Sequence, residues 1–398
     1  MPLPELSLSG LISPTSADTF GRDYWEKKSL LIQRDTPGYY KELLTLDGID
    51  QFLSLSSLHE SEVQVIIDGR KAAPYQLAAD RPGGWGQALE VLYEHYRSGA
   101  TITVMFLHQQ WAPLAELCRS MSAELSATVQ VNAYLTPAAA QGFNPHYDTH
   151  DVFIAQVYGA KRWRLYESAV KLPLDSRRFT VPPGGLGEPE HEIELRAGDL
   201  LYLPRGTVHE ATSGETASLH LTIGATHPTW AGVLHTLIDK VSAADRRYRA
   251  ALPIGFTRDA ATARECTDRL AGLIAGLADN TADGTLIADA ARIVTARKWP
   301  ALRGHLLDLE ALRKLNLDTP LRRRPDLHWT LNRENGVISL EFHGKAIRLP
   351  GALAAELEFA ATGTEFTGRD IPGSLDEPGR LTLLTTLARE GFLSLSRT

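Results

Sequence analysis

Three residues of this sequence have the types and the spacing to hold a metal ion. His146 and Asp148 are separated by one residue. On an extended backbone both side chains project from the same face, because strand side chains alternate with period two. His209 lies further along the chain, after an apolar run and a Pro-x-Gly turn. Two imidazoles and one carboxylate form the facial triad, which leaves neighbouring coordination positions open and suits non-haem Fe(II) and oxygen chemistry.

Other interpretations of the same residues stay open. The His-x-Asp pair also fits a hydrogen-bonded pair at a strand edge. Zinc accepts the same ligands, but a hydrolytic zinc site needs a general base, and Glu210 points away from His209 on an extended chain. Cys118 and Cys266 are the only cysteines and lie far apart, which excludes a thiolate-built zinc or iron–sulfur site and fits a reducing compartment.

Lys161 is the next candidate. On a strand it shares a face with Trp163 and Leu165, and a lysine on an apolar face is costly unless it meets an anion. The distal carboxylate of 2-oxoglutarate is a suitable partner; a lysine that extends to the rim is the alternative. Asn132, Thr222 and His220 are polar residues among apolar neighbours. Each has the chemistry to bind a co-substrate or to satisfy a buried backbone group.

Short strands must position these residues. Runs rich in branched and aromatic residues, separated by Gly and Pro turns, predict strands at 128–135, 152–157, 162–166, 192–195, 200–203 and 218–223. Many short strands at this spacing predict a closed barrel or jelly roll. Residues before about 125 predict mixed helix and strand.

The chain is long enough for two or three domains, and its composition changes at two points. Residues 1–228 contain the candidate site. Residues 229–315 are rich in Ala, Leu and Arg and predict helices at 230–248, 260–278 and 285–297. Residues 322–325 are interpreted as a polar linker, which falls within a small C-terminal unit, 316–398.

Charge and hydropathy exclude several classes of protein. A net charge of -7 and a pI near 6.0 argue against a general polyanion binder. Residues 316–398 have 10 Lys and Arg against 11 Asp and Glu, a poor surface for phosphate, so nucleic acid is not an expected partner. No apolar run spans a bilayer and no signal peptide is recognised at the N-terminus. The expected location is the cytoplasm.

Five stretches of the barrel region, with a sixth near the N-terminus, carry a resemblance to a known family. They are residues 131–137, 141–148, 151–166, 197–209, 218–223 and 24–32. With these stretches the chain closely resembles the JmjC-domain oxygenases, in particular their ribosomal oxygenase (cupin-4) branch. The likeness spans about residues 10–255.

The resemblance implies an α+β fold with a double-stranded β-helix (jelly roll, cupin) core, in which 229–315 is a dimerisation segment and 316–398 a winged-helix-like domain. It assigns His146, Asp148 and His209 as Fe(II) ligands and Lys161 as the anchor of 2-oxoglutarate. Asn132 and Thr222 then contact this co-substrate, and O2 is the oxidant.

The implied function is hydroxylation of a His or Arg side chain of a protein, with a ribosomal protein as the expected substrate, by a homodimer. Three alternatives stay open: a hydroxylase of a peptide natural product or small molecule, an N-methyl demethylase, and a non-catalytic nucleic-acid-binding protein. One departure concerns the substrate. Residues 224–228 replace a more polar stretch that lies near the family's substrate groove, which leaves the target residue open.

Overall fold

The structure is a computed structural model that describes residues 3–57, 61–72, 84–168, 170–278, 286–287, 302–324, 327 and 329–395. The chain divides into two compact units, Met1–His227 and Pro228–Thr398. No helix in the described residues combines the length and the apolar composition needed to cross a lipid bilayer.

The first unit begins with helices that cover one face of a sheet. They are α1 (Leu8–Ile12), α2 (Ala17–Asp23), α3 (Leu46–Leu55), α4 (Gly84–Arg97) and α5 (Ala112–Leu125). The side chains of Ser7, Ser16 and Thr45 accept a backbone N–H from the first turns of α1, α2 and α3. These N-caps satisfy donors that a helix start leaves without partners.

Eleven strands of the described residues follow these helices or lie between them. They are β1 (Leu30–Ile32), β2 (Val63–Ile67), β3 (Arg70–Lys71), β4 (Thr101–Val104), β5 (Thr128–Thr136), β6 (Asp151–Tyr158), β7 (Ala160–Tyr166), β8 (His191–Arg196), β9 (Leu200–Leu203), β10 (Val208–Ser213) and β11 (Ser218–Thr226). All six predicted strands are present. Strand β10, which carries His209, was not predicted.

The strands form two antiparallel sheets that face each other. The larger has the order β1-β9-β6-β11-β5-β4-β2-β3 and the smaller β10-β7-β8. The Trp163 ring of the small sheet lies 5.4 Å from the His220 ring of the large sheet. As predicted, Lys161, Trp163 and Leu165 are buried on one face of β7, while Arg162 and Arg164 are exposed on the other.

Alternation along the large sheet separates the core from the site. Leu219, Leu221 and Ile223 of β11 are fully buried against the N-terminal helices. The residues between them point to the small sheet, where they line a pocket. Burial of one such aliphatic side chain contributes about 1.5–3 kcal/mol, so the core face fixes the register that positions the pocket residues.

The second unit begins with α6 (Trp230–Ala244), α7 (Arg246–Arg249) and α8 (Ala260–Ala278). Leu237 and Val241 of α6 are buried in one small cluster with Leu286. The helix predicted at 285–297 lies outside the described residues except for Leu286 and Ile287, which are helical.

The rest of the second unit shares one core. Its elements are α9 (His305–Ala311), β12 (Leu321–Arg323), β13 (Trp329–Glu334), β14 (Val337–Phe342), β15 (Lys345–Pro350), α10 (Ala354–Thr362), α11 (Glu377–Arg389) and β16 (Leu393–Leu395). Strand β12 pairs with β16, and β13, β14 and β15 form a separate antiparallel sheet.

The interpretation of 322–325 as a polar linker was wrong for its described residues. Arg322 and Arg323 belong to β12 and pair with β16. The Arg324 side chain is 4% exposed and forms an ion pair with Asp308, whose side chain is 2% exposed. The run of arginines was interpreted as a solvated linker because its carboxylate partner, Asp308, lies on another element and is not apparent from the local sequence.

This buried pair predicts a large loss of stability on truncation. Arg324→Ala leaves the Asp308 carboxylate buried without its counter-ion, which costs about 3–5 kcal/mol. Arg369→Ala is the matched control, because the Arg369–Asp318 pair is 59% and 68% exposed and such pairs contribute about 0–1 kcal/mol. Chemical denaturation of the two full-length variants measures the difference. Equal small losses in both would contradict a buried role for Arg324.

Candidate metal centre and co-substrate pocket

Backbone pairing brings the three predicted metal ligands together. His146 and His209 form an isolated bridge in which each backbone N–H donates to the other's carbonyl, at 3.1 and 2.8 Å. The Asp148 carboxylate oxygen lies 3.8 Å from Nε2 of His209. One potential ligand atom from each of the three residues lies within 4.8 Å of the others.

Hydrogen bonds orient both imidazoles. Nδ1 of His146 lies 2.8 Å from the Asn144 carbonyl, and Nδ1 of His209 lies 2.9 Å from the Thr207 carbonyl. Because a carbonyl only accepts, Nδ1 carries the proton in both rings. Nε2 is left with its lone pair free, which is the tautomer that binds a metal.

The protonation states also suit a divalent cation. Burial lowers the pKa of His209 to about 4, so this ring is neutral at pH 7. Burial opposes ionisation of Asp148, but His209, His150 and His146 outweigh it and lower the pKa of this carboxyl. Metal ligands bind in their deprotonated forms. The Asp148 carboxylate and the neutral His209 ring therefore suit a divalent metal.

A second group, Glu26, Asp151 and His227, also has its ligand atoms within 4.8 Å, but its carboxylates have partners. The Arg205 guanidinium lies 2.7 Å from Glu26, and the Tyr202 hydroxyl donates to Asp151 at 2.6 Å. A metal would have to displace a fixed cation here. We interpret this group as a hydrogen-bonded network, which the sequence analysis did not identify.

One pocket between the sheets contains the triad and the other predicted site residues. Its lining residues are Met105, Gln130, Asn132, Tyr134, Gly142, Phe143, His146, Asp148, His150, Val152, Ile154, Lys161, Trp163, His209, Glu210, Ala211, His220 and Thr222. All seven residues that the sequence singled out for metal or co-substrate, His220 included, therefore face the same space.

Lys161 is buried rather than at the rim. It is 2% exposed, and its ammonium donates to the Thr136 hydroxyl at 2.9 Å. Burial lowers its pKa to about 7, and no carboxylate of the described residues forms an ion pair with it. A buried lysine with one neutral partner favours binding of an anion in the pocket.

Asn132 and Thr222 lie directly opposite each other on β5 and β11. The Asn132 side-chain oxygen accepts the Phe106 backbone N–H at 2.9 Å, so it satisfies a backbone group, as the alternative proposed. His220 stacks on Tyr134 with ring centroids 4.8 Å apart, and its Nδ1 has no hydrogen-bond partner in the described residues. Burial, with Lys161 and His209 nearby, lowers the pKa of His220.

The sequence profile of the JmjC domain matches the part of the chain that holds the triad and Lys161. The match covers residues 105–233. The chain is 35% identical to ribosomal oxygenase 2 of Rattus norvegicus over 69% of its own length and 60% of the relative's. It is 33% identical to the bifunctional lysine-specific demethylase and histidyl-hydroxylase NO66 of Dictyostelium discoideum, over 63% of this chain and 50% of that protein.

Solved structures of ribosomal oxygenases have a fold similar to that of this chain. YcfD, a ribosomal oxygenase from Escherichia coli, superposes with a TM-score of 0.52 at 17% identity and covers 96% of this chain and 99% of its own. Another YcfD structure is a complex with cobalt and 2-oxoglutarate. The predicted resemblance to the ribosomal oxygenase branch and the JmjC/cupin fold are confirmed. The chain spans 60% and 50% of the two curated relatives.

Proposed function

We propose that this protein is an Fe(II)- and 2-oxoglutarate-dependent oxygenase that hydroxylates a His or Arg side chain of a protein, with a ribosomal protein as the expected substrate. One observation carries the proposal. Lys161 is buried, has no counter-ion among the described residues, and faces the same pocket as the three potential metal ligands. Few reactions require, in one site, both a metal with open coordination positions and a buried cation that binds a carboxylate.

In this proposal His146, Asp148 and His209 hold the iron, and Lys161 binds the far carboxylate of 2-oxoglutarate. A charge-assisted bond is stronger in a buried site than in water. When bound, iron, 2-oxoglutarate and O2 together supply the oxidation that hydroxylates an unactivated C–H bond. YcfD in complex with cobalt and 2-oxoglutarate supports this assignment, because that protein shares the fold.

Asn132 and Thr222 are proposed to contact the co-substrate. They lie side by side on the pocket face, opposite each other on β5 and β11. The Asn132 oxygen already accepts from Phe106, so only the N–H groups of its amide can donate to a carboxylate, and the same side chain also hydrogen-bonds to Tyr134. The apolar faces of Trp163 and Ile154 exclude water from the same space.

The experiment incubates the protein, Fe(II) and 2-oxoglutarate with ribosomal proteins and looks for the gain of one oxygen atom by mass spectrometry. Formaldehyde release would instead support an N-methyl demethylase, the alternative that the name of the Dictyostelium discoideum relative favours. Oxidation of a free amino acid or small peptide alone would assign a different substrate. A ribosomal substrate makes the cytoplasm the proposed location.

We also propose a homodimer formed through 229–315. On α6, Trp230, Leu234 and Ile238 recur every fourth residue and are exposed, with Trp230 at 78%. Leu237 and Val241, on another face of the same helix, are buried. An exposed apolar stripe of this kind is typical of an interface.

The dimer gives a direct prediction. The double substitution Leu234→Glu and Ile238→Glu introduces charge into the stripe and is expected to yield a monomer in light scattering at micromolar concentration. Leu55→Glu is the control, since Leu55 is 78% exposed in α3 of the first unit. An unchanged mass for the double variant, or a monomeric wild type, would contradict the proposed interface.

The C-terminal residues are proposed as a winged-helix-like domain. Helices α10 and α11 share a core with β14, through Leu357, Leu387 and Leu340. Asp308 of α9 forms its ion pair with Arg324 of this domain. We therefore propose that the domain begins before His305 rather than at residue 316.

A further inference from the structure

The register of the large sheet orders the residues along the pocket. On the pocket face Tyr134 lies opposite His220, Asn132 opposite Thr222, and Gln130 opposite Gly224. Thr136, which accepts from Lys161, lies at one end of this series. Gln130 is six residues away on β5, a distance of about 20 Å on an extended strand. Gln130 therefore lines the end of the pocket that is remote from Lys161, and Gly224 lies opposite it on β11.

Gly224 makes room for the ring of His150. A Cβ atom at position 224 would lie 2.7 Å from both Cδ2 and Nε2 of His150. The backbone of Gly224 is ordinary strand, with no positive φ, so the conformation alone does not require glycine. The imidazole of His150 therefore occupies the space that a strand side chain at position 224 would fill.

His150 is fixed by packing and keeps its polar atoms free. The ring is half-buried and lines the pocket with Gln130 and Met105. In the part of the chain that the structure describes, no hydrogen bond to either ring nitrogen is found. The next residue, Asp151, is fully buried and accepts from the Tyr202 hydroxyl, which anchors the backbone that carries the ring.

We propose that His150, together with Gln130, binds the substrate side chain and selects the imidazole of a His over the guanidinium of an Arg. The inference rests on the proposed function and deepens it, because 2-oxoglutarate at the Lys161 end leaves the Gly224 end for the substrate. An imidazole and a carboxamide each offer a donor and an acceptor, which match a neutral substrate imidazole.

A guanidinium is a poorer match for this end of the pocket. It has five N–H donors and no acceptor, so it favours carboxylates. Asp148 is assigned to the metal. Glu210 accepts from the Tyr166 hydroxyl and lies 3.9 Å from the Arg164 guanidinium. Both acidic side chains that line the pocket are thus engaged.

The test compares paired ribosomal peptides that carry His or Arg at the same position. Wild type is expected to hydroxylate the His peptide with the higher kcat/KM. His150→Ala should lower that kcat/KM about tenfold or more by removing a hydrogen-bonding group from the substrate site. Affinity for Mn²⁺ and 2-oxoglutarate, measured without oxygen, should stay unchanged. A loss of Mn²⁺ affinity would make His150 a metal ligand and overturn the inference.

Gly224→Ala provides the second arm, because its methyl group displaces the His150 ring. It should reduce kcat/KM for the His peptide as His150→Ala does, and the double variant should be no worse than His150→Ala alone. Gly214→Ala is the matched control, since a Cβ there meets nothing within 4 Å. Additive losses would show that Gly224 acts independently of His150.

Failure of the inference and failure of the proposed function give different results. Hydroxylation of Arg, or a His preference that survives His150→Ala, overturns the inference while the enzyme assignment stands. If no polypeptide is hydroxylated, the proposed function fails. The inference is then tested by the affinity of the enzyme for two capped amino acids. The enzyme with Mn²⁺ and 2-oxoglutarate, without oxygen, should then bind N-acetylhistidine amide more tightly than N-acetylarginine amide. Equal affinities would overturn the inference.

Discussion

His146→Ala and Asp148→Ala should each abolish iron binding and 2-oxoglutarate turnover while the protein stays folded. Each variant removes one of the three ligands. Loss of a residue that only hydrogen-bonds to a ligand typically lowers activity about 10–100-fold, so loss of the ligand itself should lower turnover further. Both residues lie in the segment between β5 and β6, so neither substitution removes a core side chain. Metal content, 2-oxoglutarate consumption and thermal unfolding measure the three quantities.

Two controls separate this site from its surroundings. His191→Ala removes an exposed imidazole on β8 and should change neither metal content nor turnover. Asp151→Asn alters the Glu26–Asp151–His227 network and should leave the iron in place, because that network has its own partners. Iron retained in His146→Ala, or lost in Asp151→Asn alone, would move the metal to the other cluster. Bound zinc with hydrolytic activity and no oxygen consumption would change the class of enzyme.

Lys161→Met should weaken 2-oxoglutarate binding while iron still binds. The charge-assisted hydrogen bond to the far carboxylate is worth about 1.5–3 kcal/mol, which corresponds to about a ten- to hundredfold loss of affinity. Lys161→Arg retains the charge and is the matched control. Titration calorimetry with Mn²⁺-loaded protein, in the absence of oxygen, measures both. An unchanged affinity in Lys161→Met would show that the anchor lies elsewhere.

The same lysine predicts a pH dependence. Burial lowers its pKa to about 7 from the usual 10.5, so the ligand-free pocket loses this charge as the pH rises above 7. Binding of the dianion must then take up a proton, and affinity should fall as the pH rises. Lys161→Arg, which does not titrate in this range, should flatten the dependence. Calorimetry in buffers with different ionisation enthalpies measures the proton uptake.

Linkage gives the opposite sign for stability of the ligand-free protein. Between pH 7 and 10.5 the unfolded chain holds a proton on Lys161 that the folded chain has released. Where the unfolded state binds more protons, stability rises with pH. The contribution of Lys161 therefore favours the folded state increasingly across this window, while affinity for 2-oxoglutarate decreases.

The sequence predicted the parts of the site that depend on local alternation. Strand β7 buries Lys161, Trp163 and Leu165 as expected, because period-two burial is visible in any strand with one apolar face. His146 and Asp148 likewise flank a buried residue, Tyr147, and each offers one atom to the potential metal site, although they lie outside a regular strand. These predictions need no knowledge of distant residues.

Features that depend on distant partners were missed. Strand β10 contains mostly polar residues and gains its order by pairing with β7, so its own sequence gave a weak strand signal. Arg324 was interpreted as a linker residue because the sequence does not show that it pairs with Asp308 of α9. The role of Gly224 was also missed, because the ring that occupies the space beside it belongs to His150, which immediately precedes β6.

The most direct test of the central claim follows the oxygen atom. Wild-type protein, Fe(II), 2-oxoglutarate and isotopically labelled O2 are incubated with ribosomal proteins, and the products are sequenced by mass spectrometry. We expect one labelled oxygen atom on a carbon of a His side chain, with succinate formed in equal amount, and no product from His146→Ala. Consumption of 2-oxoglutarate with no labelled oxygen on any polypeptide would contradict the assignment as a protein hydroxylase.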